Sequence, residues 1–167
     1  MLAHVVWRVL FPTHLLVAGL LGRATRLSTP WLVVGAALSD VVDKPLATAG
    51  VVDLFHSVGH SVLWLPVAVV AGLLARTGLA VAVGWGSHLL LDLVHVVVNG
   101  RPESVMSLGW PVVAPADPLA IPPGSFAVYY AGTPSFYLEV VIWVGAAVVF
   151  ARSRGGANAE DDRPAGP

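Results

Sequence analysis

Cysteine is absent from the 167 residues, which excludes disulfides, thiolate metal sites and thiol nucleophiles. Charge is scarce too. Only 11% of the residues are charged, against about 25% in an average soluble domain. The net charge of −1 leaves no basic surplus for binding nucleic acid. No Gly-x-Ser-x-Gly run occurs, which argues against acyl-serine hydrolysis. The N-terminus has neither a positive leader nor a small-residue cleavage site, so the first apolar segment is expected to remain as a permanent helix.

What the chain has instead is apolar surface: 56% of its residues are hydrophobic and the mean hydropathy is +0.79. A domain this small cannot hide so much inside itself, so lipid is the expected solvent. Five apolar segments stand out, at about 5–21, 31–43, 61–75, 79–98 and 136–151. They predict an all-α fold, a polytopic transmembrane bundle of about five helices over residues 1–151. The stretch 101–135 holds seven prolines; it predicts a Pro-rich extramembrane loop without regular helix. Residues 152–167 predict a disordered polar tail.

The second segment is short for a bilayer. Twelve residues, Trp31–Val42, make a helix of about 18 Å, against a hydrocarbon core of about 30 Å. The helix either stops at Lys44-Pro45 or kinks there and continues through Leu46–Leu54. In both cases Asp40 and Asp43 lie at or beneath the interface. Orientation follows from the basic residues. With five spans, Arg23, Arg26, Arg76, Arg152, Arg154 and Arg163 share one side, and Lys44 and Arg101 the other, with Arg8 near it. The arginine-rich side is expected to be cytoplasmic, giving a multi-pass protein of the cell membrane with its N-terminus outside and its C-terminus inside.

That topology, derived from basic residues alone, puts nearly all the other ionisable side chains in the outer half of the bilayer or at its outer face. His14 lies midway along the first segment, Asp40 and Asp43 at the outer end of the second, and His56 and His60 before the third. In the fourth, His88, Asp92 and His95 stand at i, i+4 and i+7 and so form one stripe. Buried charges cost at least about 2.5–3.5 kcal/mol each on insertion scales, so the three aspartates require histidines, water or a cation. Imidazoles and carboxylates converging on one point are the usual ligands of a divalent metal, zinc or manganese being the expected ions. Glu139, early in the fifth segment, reads as a bundle carboxylate, and the six tryptophans mostly as interfacial anchors.

Several motifs occur in an order found in one family: Thr13-His14, Leu38-Ser39-Asp40-Val41-Val42-Asp43-Lys44-Pro45, Gly59-His60-Ser61 and Ser87-His88-Leu89-Leu90-Leu91-Asp92, followed by Trp110-Pro111. In this the chain resembles the LexA-binding, inner-membrane-associated hydrolases, also described as YdjM-like membrane-bound metal-dependent hydrolases. Ser39 stands where that family usually has proline, and Gly59 where it has threonine. The resemblance implies a membrane bundle and a metal site.

The expected activity is therefore that of a metal-dependent hydrolase. The candidate metal ligands are His14, Asp40, Asp43, His60, His88 and Asp92; the candidate catalytic groups are Asp92, Asp43 and His60. The expected partners are the bilayer, a divalent metal and a small or lipid-like ester or phosphoester reached from the outer face. Two other classes use the same residues differently. An ion- or proton-coupled transporter would need a polar path through the apolar inner half. A haem-binding carrier would use histidine pairs and leave the aspartates without a role.

Overall fold

The computed structural model describes residues 11–113 and 126–161, with the side chains of 126, 127 and 154–161 excepted. Six α-helices are described: α1 (Phe11–Ala24), α2 (Thr29–Thr48), α3 (Leu65–Leu74), α4 (Arg76–Val98), α5 (Phe126–Tyr130) and α6 (Pro134–Asp161). Two 3-10 helices, Val62–Trp64 and Pro102–Gly109, precede α3 and follow α4. No strand occurs among the described residues, so the fold is all-α.

Two helices, Arg76–Val98 and Pro134–Ser153, are long and apolar enough to cross a membrane; the apolar run Val62–Leu74 is shorter. At a rise of about 1.5 Å per residue those 13 residues cover about 20 Å.

Helix α4 is the central post. It packs against α2 on one side and α3 on another, while α1 packs on α2 and touches both α4 and α6. The α2–α4 crossing is close because glycines face backbone. A methyl group at Gly35 would collide with the carbonyl of Val81, and one at Gly84 with that of Leu32. Such small-residue contacts are how helices approach closely in lipid, where apolar side chains gain nothing by clustering. The apolar core between α1, α2 and α4 is correspondingly small: Ala18, Leu32, Ala36 and Ala80.

Helix α2 is inside out. Its buried residues include Ser39, Asp40 and Asp43, while Trp31, Val34, Leu38 and Val41, at i, i+3, i+7 and i+10, are 43–59% exposed. A water-soluble helix shows the opposite pattern. Helix α3 has no buried residue although all ten of its residues are apolar or glycine and proline.

Several expected boundaries shift. Helix α2 neither stops nor breaks at Lys44-Pro45 but runs on to Thr48 with Pro45 inside it; this realises part of the expected continuation, and the non-helical chain begins at Ala49. The Pro-rich loop contains the 3-10 helix Pro102–Gly109, whose proline stands at the helix start where it costs no hydrogen bond, and the five-residue α5, which falls between Pro123 and Pro134. The tail expected to be disordered continues α6 to Asp161; no proline interrupts the chain there before Pro164. Residues 1–10, 114–125 and 162–167, with His4, Arg8, Arg163 and Pro115, Pro118, Pro122 and Pro123, lie outside the described residues.

Candidate metal centre

Three separate parts of the chain meet beside the α2–α4 crossing. Helix α4 supplies His88 and Asp92 from one face, α2 supplies Asp40 and Asp43, and the irregular segment before Val62–Trp64 supplies His60. Glycine makes the last approach possible: a Cβ at Gly59 would stand 2.7 Å from the carbonyl oxygen of Ser39. The segment is pinned at both of its faces. The Gly59 N–H donates to Asp43 Oδ1 at 2.6 Å, and the Gly59 carbonyl accepts from Trp85 Nε1 at 2.9 Å.

Asp43 organises the segment and is fully buried. Its Oδ2 accepts from the Ser57 N–H at 2.7 Å, the His60 N–H at 3.3 Å and His60 Nδ1 at 2.7 Å. That last bond assigns a proton to Nδ1 and turns Nε2 toward His88 and Asp92. A carboxylate behind a ligating histidine is the usual outer-shell arrangement at metal sites.

In front of His60 the polar atoms crowd. His60 Nε2 lies 3.1 Å from His88 Nε2 and 3.3 Å from Asp92 Oδ2, and His88 Nε2 is 3.2 Å from that same oxygen. Asp40 Oδ1 stands further off, 3.7 Å from His60 Nε2 and 4.0 Å from His88 Nε2. The other oxygen of Asp40 is paired with Lys44 Nζ. The second oxygen of Asp92 meets His14 Nε2 at 3.0 Å, and the His14 ring stacks on His88 with centroids 4.0 Å apart.

These distances suit an ion. Bonds of about 2.0–2.1 Å to nitrogen or oxygen place neighbouring tetrahedral ligand atoms about 3.3–3.4 Å apart, and the His60–His88–Asp92 triangle is close to that size. Asp92 Oδ2 is buried and has no hydrogen-bond partner among the described residues, although two imidazole nitrogens lie beside it. An orphaned carboxylate oxygen is costly unless something positive completes it. The buried His/Asp groups are thus able to hold a metal ion, in three overlapping sets: His14, His88 and Asp92; Asp40, His60 and His88; His56, His60 and Asp92.

The electrostatics have the same sign. Burial works against a charged His60 imidazole, but its hydrogen bond to Asp43 and the adjacent carboxylates of Asp92 and Asp40 raise its pKa to about 9. The centre draws in positive charge, as a proton on His60 where no stronger cation competes.

Of the six candidate ligands, His60, His88, Asp92 and Asp40 therefore face one point. His14 reaches it through the far oxygen of Asp92, and Asp43 stands behind His60. His56 places its ring 4.5 Å from that of His60 at the exposed edge. His95 is buried on the far side of His14, with ring centroids 6.2 Å apart, and Glu139 is buried on α6; neither joins the convergence. Asp92 keeps 17% of its side chain accessible, against 1% for His60 and His88, so the centre meets its surroundings along Asp92.

Two of the six tryptophans make hydrogen bonds to buried residues: Trp85 is itself buried, and Trp143 is half-exposed. Trp85 fixes Gly59, and Trp143 Nε1 donates to Thr13 Oγ1 at 3.0 Å. The position of Trp85 three residues before His88, on the same helix face, was the available signal for the first. The Pro-rich segment is tied to the centre's edge by Ser61 Oγ, which donates to the Trp110 carbonyl at 2.5 Å. Comparison with family models, with curated proteins and with solved structures returns no match.

Proposed function

We propose that the chain is a multi-pass membrane protein whose buried centre is that of a divalent-metal-dependent hydrolase. The observation that carries this reading is the convergence of His60 Nε2, His88 Nε2 and Asp92 Oδ2, all 3.1–3.3 Å from one another, around an otherwise unsatisfied carboxylate oxygen. Three protein ligands with a further position open is the pattern of catalytic rather than structural zinc. Zinc suits this nitrogen-rich set, with manganese the alternative for a set that also draws on Asp40.

A divalent ion held there supplies a water acidified to a pKa of about 7 and a Lewis acid for a carbonyl or phosphoryl oxygen. The remaining work falls to the chain. Asp43 keeps His60 in one tautomer and one orientation. Asp40, held by Lys44 through one oxygen, has the other free to accept a proton at the edge of the triangle. His14 donates to the outer oxygen of Asp92 and fixes that carboxylate's plane. His60 and His88 touch at 3.1 Å, which leaves no room for a porphyrin between them and counts against the haem alternative.

The membrane part of the proposal is a bundle of five spans, with N-terminus out, C-terminus in and the centre in the outer half of the bilayer. Helices α4 and α6 have the length and hydropathy to cross. Helix α2 supports a third span by its inverted pattern: its charged residues face the centre while Trp31, Val34, Leu38 and Val41 face outward. The order of motifs resembles that of the inner-membrane metal-dependent hydrolases, and a lipid-like ester or phosphoester is the substrate class such a location favours.

Elemental analysis of the purified protein tests the centre, and hydrolysis of ester and phosphodiester probes in detergent tests the reaction. The expected result is one or two equivalents of a divalent metal, lost in both His88→Ala and Asp92→Ala, with probe hydrolysis lost in Asp40→Asn while metal is retained. A protein that binds no divalent metal, or that shows a Soret band, ends the reading.

A further inference from the structure

A second feature adjoins the centre from behind. Between α2, α3 and α4 runs a cleft of about 320 Å³, lined by Leu38 and Val42 from α2, Val67 and Ala71 from α3, and Val81 and Trp85 from α4. That volume is at the lower end of the range of small-molecule sites, about 300–1,000 Å³. Helices α2 and α3 both pack on α4, and the cleft is the space this leaves between them. Its walls are hydrocarbon. The lining contains no charged residue, and the two indole N–H groups are already spent, Trp64 on the Val58 carbonyl and Trp85 on the Gly59 carbonyl. A polar occupant would therefore find no hydrogen-bond partner on the side chains.

The cleft has a direction. At one end Gly78 brings α4 so near α3 that a methyl group there would collide with the Ala71 carbonyl; the helix turn closes that end. The opposite end is bounded by Val58, Gly59 and Trp64, the first two of which immediately precede His60 in the chain. From Trp64 to Ala71 the helix rise is about 10 Å. An occupant entering from the His60 end would be elongated, apolar and blunt at its inner tip. Leu73 and Leu74, 82% and 81% exposed, do not line the cleft and turn another face of α3 outward.

We infer that this cleft is a binding site for a single hydrocarbon chain of a lipid, with the chain's terminal end at Ala71–Gly78 and its polar end beside His60. The inference rests on the membrane location in the proposed function and goes beyond the centre, none of whose side chains lines the cleft. Selection for an alkyl segment short enough to end at Ala71–Gly78 then resides in α3 and α4.

Photolabelling tests it. The protein, reconstituted in phosphatidylcholine vesicles, is irradiated with a decanoic acid carrying a mid-chain diazirine, and labelled residues are mapped by mass spectrometry. The expected result is saturable labelling of Val67–Ala71 and Gly78–Ala82, competed by unlabelled decanoate. Two substitutions on opposite walls, Ala68→Trp and Ala82→Phe, are each expected to reduce it at least five-fold with metal content unchanged. Labelling that does not saturate, that is no stronger than at outward Leu73 and Leu74, or that survives both substitutions overturns the inference. So does a cleft found cross-linked to residues 1–10 or to a second copy of the chain. Metal content is read independently: labelling without metal ends the hydrolase reading and leaves the lipid site standing, and metal without labelling does the reverse.

Discussion

Asp43 accepts the Nδ1 proton of His60 at 2.7 Å across 17 residues of sequence, and by that contact decides what the opposite nitrogen of the ring can do. The carboxylate is already held by the backbone N–H groups of Ser57 and Gly59, so it cannot turn away. Replacing it by asparagine substitutes an N–H₂ for one acceptor oxygen among four donated bonds. Asp43→Asn is expected to weaken metal binding about 10–100-fold, the usual effect of losing an outer-shell partner. Competition with a metal-chelating dye measures it; unchanged affinity would show that His60 is oriented by other means.

The metal-free protein should have its own pH dependence. His60 titrates at about 9 in the folded protein, against an ordinary 6.5, so the folded state holds its proton more tightly than the unfolded state does. That contribution to stability is complete below about pH 6.5 and is lost as pH rises through about 9. Thermal unfolding of chelator-treated protein in detergent should therefore show a falling midpoint over that interval, and His60→Gln should flatten the slope. Added divalent metal should act in the opposite sense, binding more tightly as pH rises because it displaces the proton.

The α2–α4 crossing can be tested without touching the centre. Gly84→Ala forces a methyl group against the Leu32 carbonyl, whereas Gly86→Ala, two residues on, places one where no atom lies within 4 Å. Overpacking of this kind costs about 1–3 kcal/mol. The unfolding midpoint in detergent should fall for Gly84→Ala and hold or rise slightly for Gly86→Ala. Equal effects would mean that the helices do not touch at Gly84.

Orientation is open to a reporter experiment. Arg76 is the first residue of α4, and Arg152 and Arg154 lie near the hydropathic end of α6. Both ends should be cytoplasmic by the distribution of basic residues. A fluorescent protein fused after Pro167 should fold and glow inside the cell, and a periplasm-dependent enzyme fused there should stay inactive. The reverse pair of results would invert the topology and place the centre in the inner half.

Parts of the centre are legible from spacing. His88 and Asp92 share a helix face because i, i+4 spacing requires it, and Asp40 and Asp43 do so at i, i+3. Their different roles were not legible. One turn of α2 separates a carboxylate that faces the triangle from one that stands behind His60, and the path of residues 50–61 decides which is which. That path has no helical or strand period to read. His14 and Asp92 are 78 residues apart, and only the packing of α1 on its neighbours brings them together. Trp85 looked like an anchor because tryptophan favours interfaces; its hydrogen bond to Gly59 depends on a loop from another part of the chain.

The amino-acid sequence alone determined that this is a helical protein short of charge, with its ionisable groups gathered toward one end of apolar segments, because composition and helical period are local properties. Tertiary structure alone decided that histidine nitrogens and a carboxylate oxygen meet within 3.3 Å, that Asp43 serves from behind, and that a hydrocarbon-walled cleft ends at Val58 and Gly59. Those outcomes depend on how closely glycines let two backbones approach and on where an irregular loop crosses them, and neither is written in the period of any single helix.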